Sequence, residues 1–369
     1  MKASKAWWGG GIVVLLLALA LGLALFRSPS GERKEAGAPA TGAGPAASAA
    51  AQGANARSGQ AQATTVNAPT ASKPPQVIAE VPWGSGPGQL GRHHPQEGNP
   101  EAPMSLAATP RGGILVLDQV NGRIVRFGKD GKVQGTIPVT QQTPQDILVA
   151  KDGTTLVLDR LRDKTVAILD PGTNELKGEL PLKGKNLPEP GLVTGTFLVD
   201  DSVYVEREHG ALVRVGDLSG KADAEQPQLP GRPTRDGRSY VAARISDMRE
   251  GRLAVYFLDR ETGAQRMARE LRLQYPLLYI TLLDSDLAGI VYVAVVGELP
   301  TGKANPASSP GMRMYCLDPV DGRVIGQAEL PYSPMPEETF RDLVVLDEGG
   351  VIYQYRTQAG ITLQRADCR

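Results

Sequence analysis

Short β-type runs recur along the chain in units of ~40–48 residues, the last unit is one strand short, and a lone strand-like run precedes the first complete unit. Together these observations predict an all-β fold: a six-bladed β-propeller closed by its own two ends. Closure has a physical motive, because a linear array of such sheets would expose unpaired edges. One transmembrane helix and a disordered linker are expected before the ring.

Residues 1–6, with Lys2 and Lys5, are expected to be a short cytoplasmic tail. Residues 7–26, WWGGGIVVLLLALALGLALF, hold no charge. At ~1.5 Å per residue they suit a helix of ~30 Å, the thickness of a bilayer core. Trp7 and Trp8 stand where an interfacial aromatic belt belongs. A cleaved signal peptide is the competing reading, but the A-x-A at Ala18-Leu19-Ala20 lies inside the apolar run and Arg27 ends that run abruptly. An uncleaved signal anchor is therefore expected, and no cysteine follows it to take a lipid. The short tail and the bulk behind the helix predict a single-pass inner-membrane protein with a periplasmic carboxy-terminal domain.

Residues 27–75 are Ala, Gly, Pro, Ser and Gln in the main, with Val66 the only larger apolar side chain. Such a segment buries too little apolar surface to offset the entropy of ordering. It reads as a disordered tether spanning about 40 Å r.m.s..

The propeller is expected over residues 76–369. Residues 76–81 are the lone run that would supply the strand missing from the last unit. Residues 114–118 and 123–127 flank Asn121-Gly122, a hairpin signal whose two positions favour positive φ. Residues 133–139 complete that meander, and residues 146–182 repeat it. A third unit begins at 192, a fourth over 240–273 shows three strands, a fifth spans 277–330 and a sixth spans 343–366. Seven blades would follow if residues 223–236 hide further strands.

In the first unit, residues 83–90 (WGSGPGQL), Leu115-Val116-Leu117-Asp118, Asn121-Gly122-Arg123-Ile124, Phe127 and Gly131 resemble an NHL repeat. The second unit keeps Val157-Leu158-Asp159 but has Thr165-Val166 where Arg-Ile would fall, and later units are degenerate. The resemblance implies a propeller and little about activity, since NHL-type propellers include scaffolds, sensors, RNA-binding modules and some enzymes.

Composition excludes more than it assigns. The 40 Lys+Arg balance 40 Asp+Glu, so the positive excess of a nucleic-acid binder is missing. Two cysteines and 3 histidines leave little for zinc or His-based chemistry. His93-His94, with Glu97 and Glu101 nearby, is the one cluster with metal-ligand character, but adjacent loop histidines point apart and a solvated polar loop is the simpler reading. His209 fits a hairpin turn at the surface. Asp118, Asp159 and Asp259 each end a β run, where a carboxylate accepts turn amides; recurrence in equivalent places favours that role over catalysis. Asp284 and Asp286 begin a loop that lacks the spacing of an EF-hand. The Gly-rich residues 84–91 lack the P-loop pattern and its strand-to-helix context.

No catalytic residue, metal ligand or cofactor site is therefore assigned. Cys316 and Cys368 would form a disulfide in an oxidising compartment if neighbouring blades bring their Cα atoms within ~7 Å, and the spacing leaves that open. Residues 300–311 (PTGKANPASSPG) read either as a tolerated insertion or as a contact loop. Tyr275, Tyr279 and Tyr292 offer aromatic contacts or simply fit strands. The expected function is a membrane-tethered extracytoplasmic binding or scaffold module for an envelope protein, peptide or glycan. The alternative is a propeller enzyme, a metal-dependent hydrolase or lyase, with its site in the central channel.

Overall fold

The structure, a computed structural model, describes residues 62–66, 74–300 and 308–368. Two strands come first, β1 (Gln62–Val66) and β2 (Gln76–Pro82). Blade one is β3 (Ser105–Ala108), β4 (Ile114–Asp118), β5 (Arg123–Phe127) and β6 (Val133–Pro138). Blade two is β7 (Asp146–Val149), β8 (Thr155–Asp159), β9 (Thr165–Leu169) and β10 (Leu176–Pro181). Blade three is β11 (Val193–Val199), β12 (Ser202–Arg207), β13 (Leu212–Asp217) and β14 (Gln228–Leu229). Blade four is β15 (Arg232–Pro233), β16 (Ser239–Asp247), β17 (Arg252–Asp259) and β18 (Gln265–Leu273). Blade five is β19 (Leu277–Ser285), β20 (Val291–Pro300), β21 (Ser308–Leu317) and β22 (Val324–Leu330). Blade six is β23 (Leu343–Val345), β24 (Val351–Arg356) and β25 (Gly360–Ala366), with β2 as its outer strand.

The chain is thus an all-β six-bladed propeller. β2 pairs antiparallel with β25, from Gln76↔Arg365 to Pro82↔Gly360, so the last sheet contains strands from both ends of the domain. Residues 223–236 do not hide a seventh blade: β14 and β15, two residues each, complete blade three and begin blade four. Blade four therefore has the first strand that its sequence conceals, because a two-residue pairing carries no periodic signal.

The core lies between blades, not within one. Each of the apolar clusters is shared by neighbouring sheets: Val116, Val125 and Phe127 of blade one meet Ile352, Ile361 and Leu363 of blade six, and Val255 and Leu271 of blade four meet Val293 and Tyr315 of blade five. Middle strands are covered on both faces, which is why β4 (ILVLD) and β8 (TLVLD) are near-continuous apolar runs buried at every position.

Three expectations need correction. The tether was expected to be disordered throughout residues 27–75, yet β1 adds to blade four as a fifth strand, parallel to β18. Val66, 8% exposed, packs into the cluster shared by blades four and five, so one apolar side chain and an open sheet edge suffice to dock the segment. Next, Asn121-Gly122 is not a two-residue hairpin with two positive φ values. Residues Gln119–Asn121 form a 3-10 turn, and only Gly122 is left-handed, at φ 61°. Finally, the insertion predicted at 300–311 is partly sheet, since β20 and β21 pair as far as Pro300↔Ser308. Among the described residues no helix is long and apolar enough to cross a membrane, and the predicted anchor at 7–26 lies outside them.

Candidate functional site in the central channel

The innermost strands carry short polar side chains where the blades converge. Asp146 opens β7, and its carboxylate is completely buried. Oδ1 accepts from Ser105 Oγ at 2.7 Å and from Arg341 Nε at 2.9 Å. Oδ2 accepts from Arg341 Nη2 at 2.6 Å and from the Thr196 amide at 3.0 Å. Arg341 lies on the segment leading into β23, whose backbone bridges Ser105 of β3. Its Nη2 also donates to the Thr196 carbonyl at 3.0 Å. One guanidinium thereby joins blade six to blades two and three.

Arg232 of β15 makes a second such tie. It grips Glu206 of β12 with both prongs, Nε to Oε1 at 2.8 Å and Nη2 to Oε2 at 2.9 Å, and Nη1 donates to the Leu283 carbonyl at 2.6 Å. Arg235 makes the third, to Asp284 of β19 and to Asp347 beyond β23, each at 2.7 Å. Phe197 lies under two of these cations, with Arg232 4.9 Å and Arg341 5.6 Å from its ring centroid, within cation–π range.

The electrostatics follow from this packing. Burial alone would weaken the charge on Arg341, but the carboxylate of Asp146, joined by Asp284 and Glu206, holds its pKa above the ordinary arginine value. Burial would likewise raise Glu206. The opposing charge of Arg232 and bonds from His209, Arg232 and Thr194 outweigh it and hold that carboxyl at about 2. Carboxylates converge here, but each is already neutralised by an arginine.

A cavity of about 280 Å³ opens beside this network, lined by Phe197, Glu206, His209, Arg232, Phe340 and Arg341 among others. His209, read from sequence as a surface turn residue, stands on its rim in the β12–β13 turn at φ 54°. Its Nδ1 is 3.5 Å from Glu206 Oε2, while Thr194 Oγ1 lies 3.0 Å from the same oxygen. The signal missed was position: this turn follows Glu206, whose burial inside a strand was not legible.

The other sequence candidates lie elsewhere. His93 pairs through its backbone with Glu101, whereas His94 Nε2 sits 2.7 Å from Glu337, which also takes Arg92 at 2.6 Å. Among the described residues no three His, Cys, Asp or Glu side chains form a metal-binding group. Asp118 accepts from the Gly91 amide, Asn121 and Arg123, and Arg123 donates onward to the carbonyls of Ser85, Gly86 and Gln89. Residues 84–91 are thus clamped as a structural loop. Asp159 and Asp259 accept amides of their own turns. Asp286 takes the Tyr292 hydroxyl, Tyr275 meets Tyr315 at 2.7 Å in the core, and Tyr279 is exposed. Cys316 and Cys368 are disulfide-bonded with Cα atoms 6.2 Å apart, because the chain after β25 runs back over Gly326 of β22 toward β21.

No protein-family model and no curated protein matches the chain. Solved structures do resemble it. They include the hydrazine synthase of Kuenenia stuttgartiensis, at 16% identity over 70% of this chain and 75% of that one, with a TM-score of 0.45. Regucalcin, a calcium-binding protein of Agrobacterium tumefaciens, aligns at 14% identity over 84% and 97%, with a TM-score of 0.43. BamB of Moraxella catarrhalis aligns at 12% identity over 72% and 86%, with a TM-score of 0.36. At such identities the likeness concerns the fold alone.

Proposed function

We propose that the chain is a binding module: an NHL-like propeller, anchored in the inner membrane and facing the periplasm, which receives a segment of an envelope protein or peptide in its channel cavity. The observation that carries this reading is the arginine pairing of Asp146, Glu206 and Asp284. A calcium ion takes six to eight oxygen ligands, and here it would have to displace three bound guanidinium groups. What remains beside the network is a mixed wall of Phe197, Phe340, Leu343 and Thr281 against polar His209 and Glu206. Such a wall suits side chains of a partner, with a few polar groups to orient them. The clamp of Asp118, Asn121 and Arg123 on residues 84–91 supports the NHL likeness of the first blade.

A photo-crosslinking residue in place of Thr281, in the full chain and in its native membrane, tests the proposal. One recurrent protein adduct that weakens in a Phe340→Asp background is expected. Crosslinks to lipid alone, or none, would overturn it.

One observation favours a lyase or hydrolase instead. His209 on the rim, with Glu206 behind its Nδ1, has the arrangement of a general base held by a carboxylate. Under the binding reading His209→Gln leaves the adduct in place.

A further inference from the structure

A larger cavity, about 430 Å³, lies between blades one and two. It is built from the β3–β4 and β5–β6 turns of blade one and the β7–β8 and β9–β10 turns of blade two. In a meander these turns lie at the opposite strand ends from the β12–β13 turn and the segment entering β23, which rim the channel cavity. The two cavities therefore open on opposite faces of the ring.

Its lining is charged in one sense. Arg111, Arg126, Lys129 and Lys151 face it with Asp152 as the single carboxylate. That carboxylate is held by its own turn, accepting from the amide and hydroxyl of Thr154, both at 2.9 Å. Two acids next in sequence to lining residues are also engaged: Asp130 pairs with Lys132 at 2.9 Å, and Asp170 caps the amides of Gly172 and Thr173. Among the described residues none of the four lining cations makes an ion pair, which contrasts with the channel, where every arginine is matched.

Arg126 supplies the observation that points to a ligand. Its Nε is buried and has no hydrogen-bond partner. A buried guanidinium N–H without an acceptor is costly, and of the six described arginines whose Nε is left so, Arg126 is the one that lines this cavity. Gly135, the cross-strand partner of Arg126, makes room for the guanidinium itself, since a Cβ there would stand 3.2 Å from Nη2. Arg126 thus shares the lining with Arg111 and with a lysine from each blade, Lys129 and Lys151.

We propose that this cavity binds a phosphate-bearing anion. A guanidinium fork takes two phosphate oxygens in one plane, and mobile ammonium groups close on the remaining charge. The size suits a phosphate-bearing small molecule or lipid headgroup.

Titration calorimetry of the full chain in neutral detergent with pyrophosphate tests this. One saturable site is expected, weakened at least tenfold in Lys129→Gln/Lys151→Gln, whose two positions are exposed and whose melting point should stay unchanged. Arg126→Gln should lose binding and Arg126→Lys recover only part of it, because the fork is gone. Stronger competition by phosphatidylglycerol in mixed micelles than by free glycerol phosphate would identify a lipid headgroup as the source; the reverse would identify a soluble anion. Absence of saturable pyrophosphate binding, or equal binding by the double lysine variant, would overturn the proposal.

Discussion

Arg341, on the segment entering blade six, donates to Asp146 of blade two at 2.6 Å, although that carboxylate is wholly buried. The pair links the two blades on either side of blade one, whose Ser105 touches both residues, so it fixes the angular spacing of blades that share no sheet. Removing one member of a buried pair leaves the other charge without compensation and costs ~3–5 kcal/mol. Arg341→Ala should therefore lower the unfolding free energy from urea titration by that amount, with Arg341→Lys recovering only part because the fork is lost. A midpoint within error of the parent would show that solvent already compensates Asp146.

Glu206 makes a pH prediction with a definite sign. Its pKa falls from an ordinary 4.5 to about 2 on folding, so the unfolded chain binds the proton more tightly. The stabilisation is complete above 4.5 and is lost as pH falls toward 2. Linkage puts it at about 3 kcal/mol. Unfolding free energies measured between pH 6 and pH 2 should fall less steeply in Glu206→Gln than in the parent.

The Cys316–Cys368 bond closes a loop of 52 residues that contains all of blade six except β2. Chain-entropy reasoning assigns such a cross-link roughly 4 kcal/mol, and measured values usually run ~2–4 kcal/mol. The Cys316→Ala/Cys368→Ala variant should lose that much unfolding free energy in a urea titration, and dithiothreitol should destabilise the parent but not the variant.

Arg123 holds residues 84–91 through the carbonyls of Ser85, Gly86 and Gln89 while paired with Asp118. Arg123→Ala leaves a buried carboxylate and several carbonyls short of donors, at ~1.5–3 kcal/mol for the charged bond. Hydrogen exchange should accelerate across residues 84–91 with little change in blades three to five. Uniform acceleration around the ring would refute the local clamp.

Legibility from sequence tracked how much of each feature is local. Blade one could be read because β4 is an apolar run and β5 interleaves apolar and charged residues, beside Asp118, Asn121 and Arg123, whose spacing encodes their own contacts. β14 and β15 could not, since their pairing is imposed by β13 and β16 after the ring has formed. The channel was the least legible part. Asp146, Glu206, Arg232 and Arg341 come from four different blades or their connections, and no spacing in a single sequence links them. Arginine pairing across a ring is a property of closure, visible only when the blades are in place.

The amino-terminal strand shows the same dependence on tertiary context and yields the last prediction. β1 runs parallel to β18, from Gln62↔Arg269 to Val66↔Leu273, and covers the outer edge of blade four. Its own sequence, QATTV, is mostly exposed; Val66 alone is buried, against the cluster that includes Leu271 and Leu273. Backbone pairing to an open edge therefore sets its position, and one apolar contact of about 1.5–3 kcal/mol holds it. Val66→Asp should release β1 without unfolding the ring. Amides of Gln62–Val66 and the outward-facing amides of β18 should lose exchange protection together, while β16 and β17 keep theirs. If β18 stays protected after β1 is released, another segment must cover that edge.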